Sequence, residues 1–244
     1  MENKILNKWR ELFVSNGIIE LDSQITTSKM SNATYYVVMD VITHEYYRAD
    51  HLIRDSTLSL HDTRMLLREN RILSPNFNDI TEPFEINLCV STKSVSGETV
   101  YFKVDHSDSI LYFYDMYKGA NAICEIGKVL RNEVDGIKEF TLAEIIYFNI
   151  NDESISSILA KIHSFFKKIE IEVRYDQHPI NHIDFYHCKH NHRCNCWSVE
   201  LLNDGKWINC VNVIDRINNE NRIMDVVWNM NIVCEVIMNS LLVF

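Results

Sequence analysis

The chain has 244 residues, with an apolar fraction of 46% and a charged fraction of 24%, and these values are ordinary for a globular protein. Its net charge of −10 and pI near 5.4 argue against a general nucleic-acid or anionic-membrane binder, since either needs a basic surface. It has only six glycines, and neither GxGxxG nor GxxxxGK followed by Ser or Thr occurs. Nucleotide-binding folds of these two kinds are therefore not expected.

The N-terminus lacks the uninterrupted apolar run of a signal peptide. The apolar segment Ile223–Phe244 is not expected to cross a membrane, because charges and amides are costly in hydrocarbon. It is interrupted by five such residues: Asp225, Asn229, Asn231, Glu235 and Asn239. Seven cysteines, most of them in apolar surroundings, favour free thiols in a reducing compartment over a disulfide framework. We therefore expect a cytoplasmic protein.

Two helices and one strand are predicted in the N-terminal third from apolar periodicity: Asn3–Asn16, Ser56–Asn70 with Ser56 as N-cap, and the strand Tyr35–Ile42. The segment Ser74–Pro83 holds two of the three prolines and is the predicted long loop. It suggests an N-terminal helical or mixed segment over 1–83 and an α+β core over 84–244. A single domain over 1–244 is the alternative.

The core segment mixes strand and helix patterns without a regular alternation, which favours an α+β fold with antiparallel sheets packed against amphipathic helices. Alternating apolar residues predict an antiparallel meander over Phe84–Tyr117 and a strand over Ile169–Tyr175. Asp204-Gly205 predicts a hairpin turn between Trp197–Leu202 and Trp207–Val213. Helices are predicted over Ala120–Arg131 and Asp152–Phe166, and a short helix is predicted to start at the capping-box pattern Thr141–Glu144. A further helix is predicted from Ile223 onward, and the alternative is that the second half of this segment is a strand.

The stretch Gln177–Trp197 contains five of the ten histidines and three of the seven cysteines. Zinc prefers four thiolate and imidazole ligands, which this stretch can supply from one loop. The predicted ligands are Cys188, His190, His192, Cys194 and Cys196, and zinc is the candidate cofactor. The even spacing would place all five in one row of a straight strand, too extended to share one ion without a bend. A polar edge strand or surface loop without metal is the alternative interpretation.

Other chemistry at this stretch matches known patterns poorly. Cys196-Trp197 has the dipeptide of papain-like proteases, but every histidine of the stretch precedes that cysteine. A second polar group follows the Tyr35–Ile42 strand, and we interpret it as a solvated helix face: Asp40, His44, Glu45, Asp50 and His51. No catalytic residue is assigned from the sequence.

Two functions remain open. The first is a non-catalytic interaction protein of inhibitor or immunity type that binds a protein partner, a basic one given the acidic charge, without nucleic acid or membrane. The meander and the stretch after it, Phe84–Ile146, resemble the middle of some bacterial toxin-immunity domains. The alternative is a metal-dependent hydrolase or nuclease that uses the His/Cys stretch, with Asp176 or Asp184 as base.

Overall fold

The computed structural model describes residues 2–14, 17–31, 33–53, 58–117, 119–179, 195–218 and 221–242. The helices are α1 (Glu2–Phe13), α2 (Ala49–Ile53), α3 (Leu60–Glu69), α4 (Ser107–Met116), α5 (Asp152–Lys167) and α6 (Met230–Leu242). The strands are β1 (Ile18–Leu21), β2 (Thr26–Thr27), β3 (Thr34–Met39), β4 (Tyr46–Arg48), β5 (Phe84–Asn87), β6 (Ser91–Lys93), β7 (Thr99–Phe102), β8 (Ala122–Glu133), β9 (Gly136–Phe148), β10 (Val173–Pro179), β11 (Asn195–Asn203), β12 (Lys206–Asn218) and β13 (Asn221–Asn229).

The main sheet has seven strands in the order β1-β8-β9-β13-β12-β11-β10. Neighbouring strands in it run antiparallel, except that β1 is parallel to β8. Two smaller antiparallel sheets, β2-β7-β6 and β4-β3-β5, accompany it. The described residues therefore form a mixed α/β fold with mostly antiparallel sheets, which confirms the predicted class at that level.

One face of the main sheet is apolar and packs against α1, α5 and α6. Because side chains alternate across a strand, β13 directs Met224, Val226 and Trp228 to this face and Asp225 to the opposite one. The opposite face, which we call the open face, carries α4, which packs on an apolar corner formed by Ile123, Ile146, Phe148 and Ile223 and whose first residue, Ser107, contacts polar side chains of the sheet. The rest of the open face carries the polar residues described below.

Three predicted elements are confirmed. The helix predicted from Asn3 is α1, and it ends at Phe13. The helix predicted over Asp152–Phe166 is α5, with Asn151 as its N-cap. The hairpin joins β11 to β12, and both turn residues have positive φ (48° at Asp204 and 75° at Gly205), as a type I′ turn requires.

The predicted meander over Phe84–Tyr117 is confirmed only for the β6–β7 hairpin, because β5 pairs with β3 in another sheet and Ser107–Met116 forms α4. Aromatic residues favour strands only when neighbouring strands offer a surface to pack on. Here Ile110 and Phe113 pack as one helical face on the open-face corner, and Tyr114 stacks on Phe148 with 3.6 Å between the ring centroids. The local alternation of apolar and aromatic residues was therefore compatible with a helix.

The predicted helix over Ala120–Arg131 is also wrong, because this segment is β8, which hydrogen-bonds β1 on one side and β9 on the other. The capping-box pattern Thr141–Glu144 lies inside β9 instead of starting a helix. The C-terminal segment has the reverse order of that predicted, a strand (β13) followed by a helix (α6). In each case pairing within the sheet overrides a weak local helix preference.

The N-terminal third matches the prediction in outline. Strand β3 begins one residue before the predicted strand Tyr35–Ile42 and ends at Met39. Helix α3 starts at Leu60 with Ser59 as its N-cap, and the predicted N-cap Ser56 lies outside the described residues. Helix α1 belongs to the same core as α5 and α6, and the division at residue 83 stays a prediction. Within the described ranges, no helix is long and apolar enough to cross a membrane.

Candidate active site

Three carboxylates lie on the open face of the main sheet. Glu125 of β8 is directly opposite Glu144 of β9, and Asp225 of the next strand is opposite Ile146, two residues further along β9. Cross-strand neighbours share a face, so all three side chains project to the open side. Their exposed fractions are 2%, 0% and 2%. We call Glu125, Glu144 and Asp225 the acid cluster, and buried carboxylates of this kind need partners.

Glu125 is held by a lysine ammonium group, a histidine ring and a hydroxyl group. Its Oε1 accepts from Ser23 Oγ at 2.6 Å and lies 3.0 Å from Lys103 Nζ and 3.3 Å from His106 Nδ1. Burial alone raises the pKa of Glu125, but contacts with His106, Ser23 and Lys103 outweigh it and lower the pKa to about 2. Glu125 is therefore ionised at neutral pH.

Glu144 and Asp225 are held mainly by the start of α4. The backbone N–H of His106 donates to Glu144 Oε2 at 2.9 Å, and Ser107 Oγ donates to Glu144 Oε1 at 2.5 Å. Asp225 Oδ2 lies 3.3 Å from Ser107 Oγ and accepts from Arg216 Nη2 at 3.2 Å. Burial, followed by the nearby charges of Asp225 and Asp105, raises the pKa of Glu144 well above its usual value. The neutral, protonated form of Glu144 is thus favoured over the charged form at this position.

The pKa of Glu125 is lowered, whereas that of Glu144 is raised. The lowered pKa predicts that Glu125 contributes to the stability of the fold and that this contribution is lost in acid. A lowered pKa stabilises the fold above the unfolded-state pKa of 4.5, and this contribution disappears as the pH falls toward about 2. We expect the difference in unfolding free energy between the natural protein and Glu125→Gln to shrink by about 2 kcal/mol from pH 5 to pH 3. Urea denaturation at both pH values measures it, and a difference that stays constant would contradict the prediction.

An arginine and an aromatic ring lie further along the same two strands. Arg131 of β8 donates from Nε to the carbonyl of Val104 at 2.9 Å, and its Cζ lies 5.6 Å from the centroid of the Phe140 ring on β9. Both are half-buried and lie on the open face. Gly127 lies between them and the acid cluster, and a Cβ there would come within 3.2 Å of His106 Cε1. The open face thus presents a cation and an aromatic ring at one end and carboxylates at the other.

The predicted metal ligands are only partly described. Cys188, His190, His192 and Cys194 lie outside the described residues, as does the alternative base Asp184. Cys196 lies in β11 with 1% exposure, and Asp176 lies exposed in β10 opposite Ser198. Within the described part of the chain no group of three or more His, Cys, Asp or Glu side chains is placed to hold a metal. Zinc binding at this stretch stays a prediction.

The acid cluster was not predicted from the sequence. Glu125 and Glu144 lie in segments that were predicted as helices, and Asp225 was placed on the polar side of a helix. The available signal was the period of two: Ile123, Glu125 and Gly127 alternate with Cys124 and Ile126, which predicts a strand with one polar position.

No protein-family model matches the chain. Its sequence is similar to glycine–tRNA ligases. The Drosophila melanogaster enzyme is 24% identical over 314 aligned positions, which cover 88% of this chain and 40% of that protein. The Caenorhabditis elegans enzyme is 23% identical, with 88% and 42% covered, and the Methanococcus maripaludis enzyme is 23% identical, with 89% and 52% covered. The chain therefore spans about half the length of the curated relatives it matches.

Two solved structures resemble the fold over nearly the whole chain. Giardia lamblia prolyl-tRNA synthetase in complex with prolyl-adenylate matches with a TM-score of 0.57, and the match covers 98% of this chain and 45% of the synthetase chain. Apo histidyl-tRNA synthetase from S. aureus matches with a TM-score of 0.59, and the match covers 98% of this chain and 70% of the synthetase chain. The sequence identity is 8% in both, so this likeness shows a fold shared with these two synthetase structures and nothing more.

These comparisons correct two predictions. The similarity to tRNA ligases contradicts a non-catalytic protein of inhibitor or immunity type, and it does not support the hydrolase or nuclease alternative. The expectation of a basic protein partner and no nucleic acid is wrong as well, because the relatives are named as ligases of tRNA. Net charge misled here because it averages over all 244 residues and says nothing about where basic side chains lie.

Proposed function

We propose that this chain is an aminoacyl-tRNA synthetase-type catalytic domain that activates glycine with ATP and transfers it to tRNA. The observation that carries the proposal is the similarity to glycine–tRNA ligases over 88% of the chain. The shared fold with a synthetase that holds prolyl-adenylate supports it, because an aminoacyl-adenylate is the intermediate of such a reaction.

The proposed chemistry has two group transfers. A carboxylate oxygen of glycine attacks the α-phosphorus of ATP, the bond to the bridging oxygen breaks, and pyrophosphate leaves. A terminal ribose hydroxyl of tRNA then attacks the carbonyl carbon of glycyl-adenylate, loses its proton, and AMP leaves. Both steps move negative charge near the α-phosphate, so the protein must supply a fixed cation there and must hold the ammonium group of glycine in position.

Arg131 is the residue we assign to the α-phosphate. A guanidinium matches phosphate oxygens with its planar set of donors, and Arg131 uses its Nε on Val104, which fixes the side chain and leaves its terminal nitrogens for a ligand. The neighbouring Phe140 ring offers an apolar surface for the adenine base.

The acid cluster is the part of the face that we assign to the ammonium group of glycine. Glu144 is surrounded by like charge from Asp225 and Asp105, and a bound ammonium group would relieve this repulsion. Glu125 Oε2 is buried and makes no hydrogen bond to any described residue, so it can still accept one from an ammonium group. His106 and Ser107 pack closely around the cluster, with 1% and 2% exposure, and this favours the smallest amino acid.

The test is glycine-dependent exchange of pyrophosphate into ATP, measured with the full chain. We expect Arg131→Ala to lower the exchange rate by about 100-fold, since removing one donor to developing charge typically has that effect. Arg174→Ala is the matched control, because Arg174 also stacks on an aromatic ring (Trp207, 4.7 Å) but lies on the edge strand β10. Exchange that does not depend on glycine, or that both variants retain in full, would contradict the assignment.

We further propose a cytoplasmic location for this activity. The described cysteines Cys89, Cys124 and Cys210 are free thiols, which is typical of a reducing compartment.

A further inference from the structure

A groove of about 550 Å³ lies on the helical side of the main sheet, between α1, the C-terminal end of α5 and α6. Because these three helices cover the apolar face of the sheet, the groove is on the opposite side from the acid cluster. The residues assigned above to glycine and ATP lie on the open face, so the occupant of this groove does not depend on the proposed function.

The groove follows one side of α1 over two turns. The residues of α1 that line it have the spacing of one helix side: Lys4, Ile5, Lys8, Glu11 and Leu12. At 1.5 Å per residue, α1 rises about 12 Å from the first of them to the last. An extended alkyl chain of about ten carbons has this length, since each carbon advances the chain by a little less than a C–C bond of about 1.5 Å.

The floor of the groove is apolar. It consists of Ile5, Leu12, Phe165, Ile169 and Ile237. Phe165 and Ile237 are buried below the surface, whereas Ile169, which follows α5, is exposed. Ligand pockets of this volume are typically lined by apolar side chains, with a few polar groups that fix the orientation of the ligand.

Lysine side chains supply those polar groups at the rim of the groove. Lys8 Nζ lies 2.6 Å from Glu11 Oε2, so this pair is neutral as a whole. Lys4 and Lys168 are exposed, and their side chains form no ion pair or hydrogen bond with any residue that the structure describes. The groove therefore has two available ammonium groups, in a chain whose net charge is −10. A lysine can lay its apolar stem along such a groove and keep its charge in water at the edge.

We infer that this groove binds an anionic amphiphile, a free carboxylic acid of medium chain length in its ionised form. The alkyl chain lies on the apolar floor, and the carboxylate faces the lysines of the rim. Hydrogen bonds between an ammonium group and a carboxylate are among the stronger ones because both groups are charged. A cationic amphiphile of the same length makes the same apolar contacts but is repelled by the rim, so the sign of the ligand's charge tests the inference.

The probe is decanoate, titrated into the full chain with isotope-labelled isoleucine methyl groups and followed by NMR, with calorimetry for the Kd. We expect saturable shift changes at Ile5, Ile169 and Ile237 and none at Ile137, which is exposed on β9. Octanoate should bind about 10-fold more weakly, because two fewer methylene groups are buried. Decylamine should bind more weakly than decanoate.

Two variants test the floor and the rim separately. Ile169→Glu places a carboxylate on the floor and should abolish decanoate binding, and Ile137→Glu, an equally exposed isoleucine elsewhere, is the matched control. The double variant Lys4→Gln with Lys168→Gln should weaken binding about 10-fold. Its control, Lys93→Gln with Lys167→Gln, removes the same charge from exposed lysines that do not line the groove and should leave binding unchanged.

Three results would overturn the inference: no saturable binding of decanoate, equal binding of decylamine, or binding that neither Ile169→Glu nor the rim variant weakens. Urea unfolding of each variant shows whether lost binding reflects a lost fold, and if Ile169→Glu is destabilised, the rim variant decides. Glycine-dependent pyrophosphate exchange on the same preparations reports on the proposed function separately, because the groove and the open face lie on opposite sides of the sheet.

Discussion

Replacing Trp228 by alanine is expected to lower the free energy of unfolding by about 3–5 kcal/mol, the range for truncating a large buried aromatic side chain. Trp228 is fully buried on the apolar face of β13. Its ring lies 5.0–6.3 Å from the rings of Trp9, Phe13, Phe165 and Phe166, which come from α1 and α5. Removing the indole would leave a cavity where two helices meet the sheet.

Urea denaturation followed by circular dichroism measures this loss. Trp207→Ala is the control, because Trp207 is only half-buried on β12 and contacts Arg174 near an edge of the sheet. We expect the control to lose less than half as much stability. A loss below about 1 kcal/mol for Trp228→Ala would mean that the aromatic side chains repack around the cavity, contrary to the prediction.

The second large effect is expected at the buried ion pair of Lys103 and Glu125, which links the end of β7 to the main sheet. Both side chains are nearly inaccessible, with exposed fractions of 9% and 3%. Lys103→Met would leave the carboxylate with its contacts to Ser23 and His106 only. Breaking a buried pair from one side typically costs about 3–5 kcal/mol, because the remaining charge is buried without its partner.

The double variant Lys103→Met with Glu125→Leu is the informative comparison. It removes both charges, so we expect it to be more stable than Lys103→Met alone, even though it carries one more substitution. Lys128→Met serves as control, since Lys128 and its partner Glu139 are more than half exposed and surface pairs contribute little. If the double variant were less stable than Lys103→Met and than Glu125→Leu, packing and not charge would dominate the stability at this position.

Long elements with one consistent period were predictable from the sequence. Helix α5 repeats Ile155, Ile158, Ile162 and Phe166 at helical spacing and becomes the buried helix that this pattern predicts. The β11–β12 hairpin follows from Asp204-Gly205, because few other residue pairs tolerate positive φ at both turn positions.

The candidate site was not predictable in the same way, because its residues meet only through sheet pairing. Glu125 and Glu144 are nineteen positions apart, and Asp225 lies in a third strand; their proximity depends on the β8-β9-β13 order. All three segments were predicted as helices, and for the first two the reason is local, since Glu, Ala and Leu are good helix formers and Thr141–Glu144 has the form of a capping box. The histidine-rich stretch attracted the prediction because its residue types are conspicuous without any tertiary information.

The parallel pairing of β1 with β8 constrains the order in which the chain can assemble. Ile18 pairs with Ala122, and α1, which precedes β1, packs in the same core as α6 near the other end of the chain. Contacts this distant in sequence form slowly, because a long loop must close before they bring any stabilisation. During synthesis on the ribosome, the apolar side of α1 therefore stays without its final neighbours until α6 has emerged, and in that interval it is a natural binding site for chaperones.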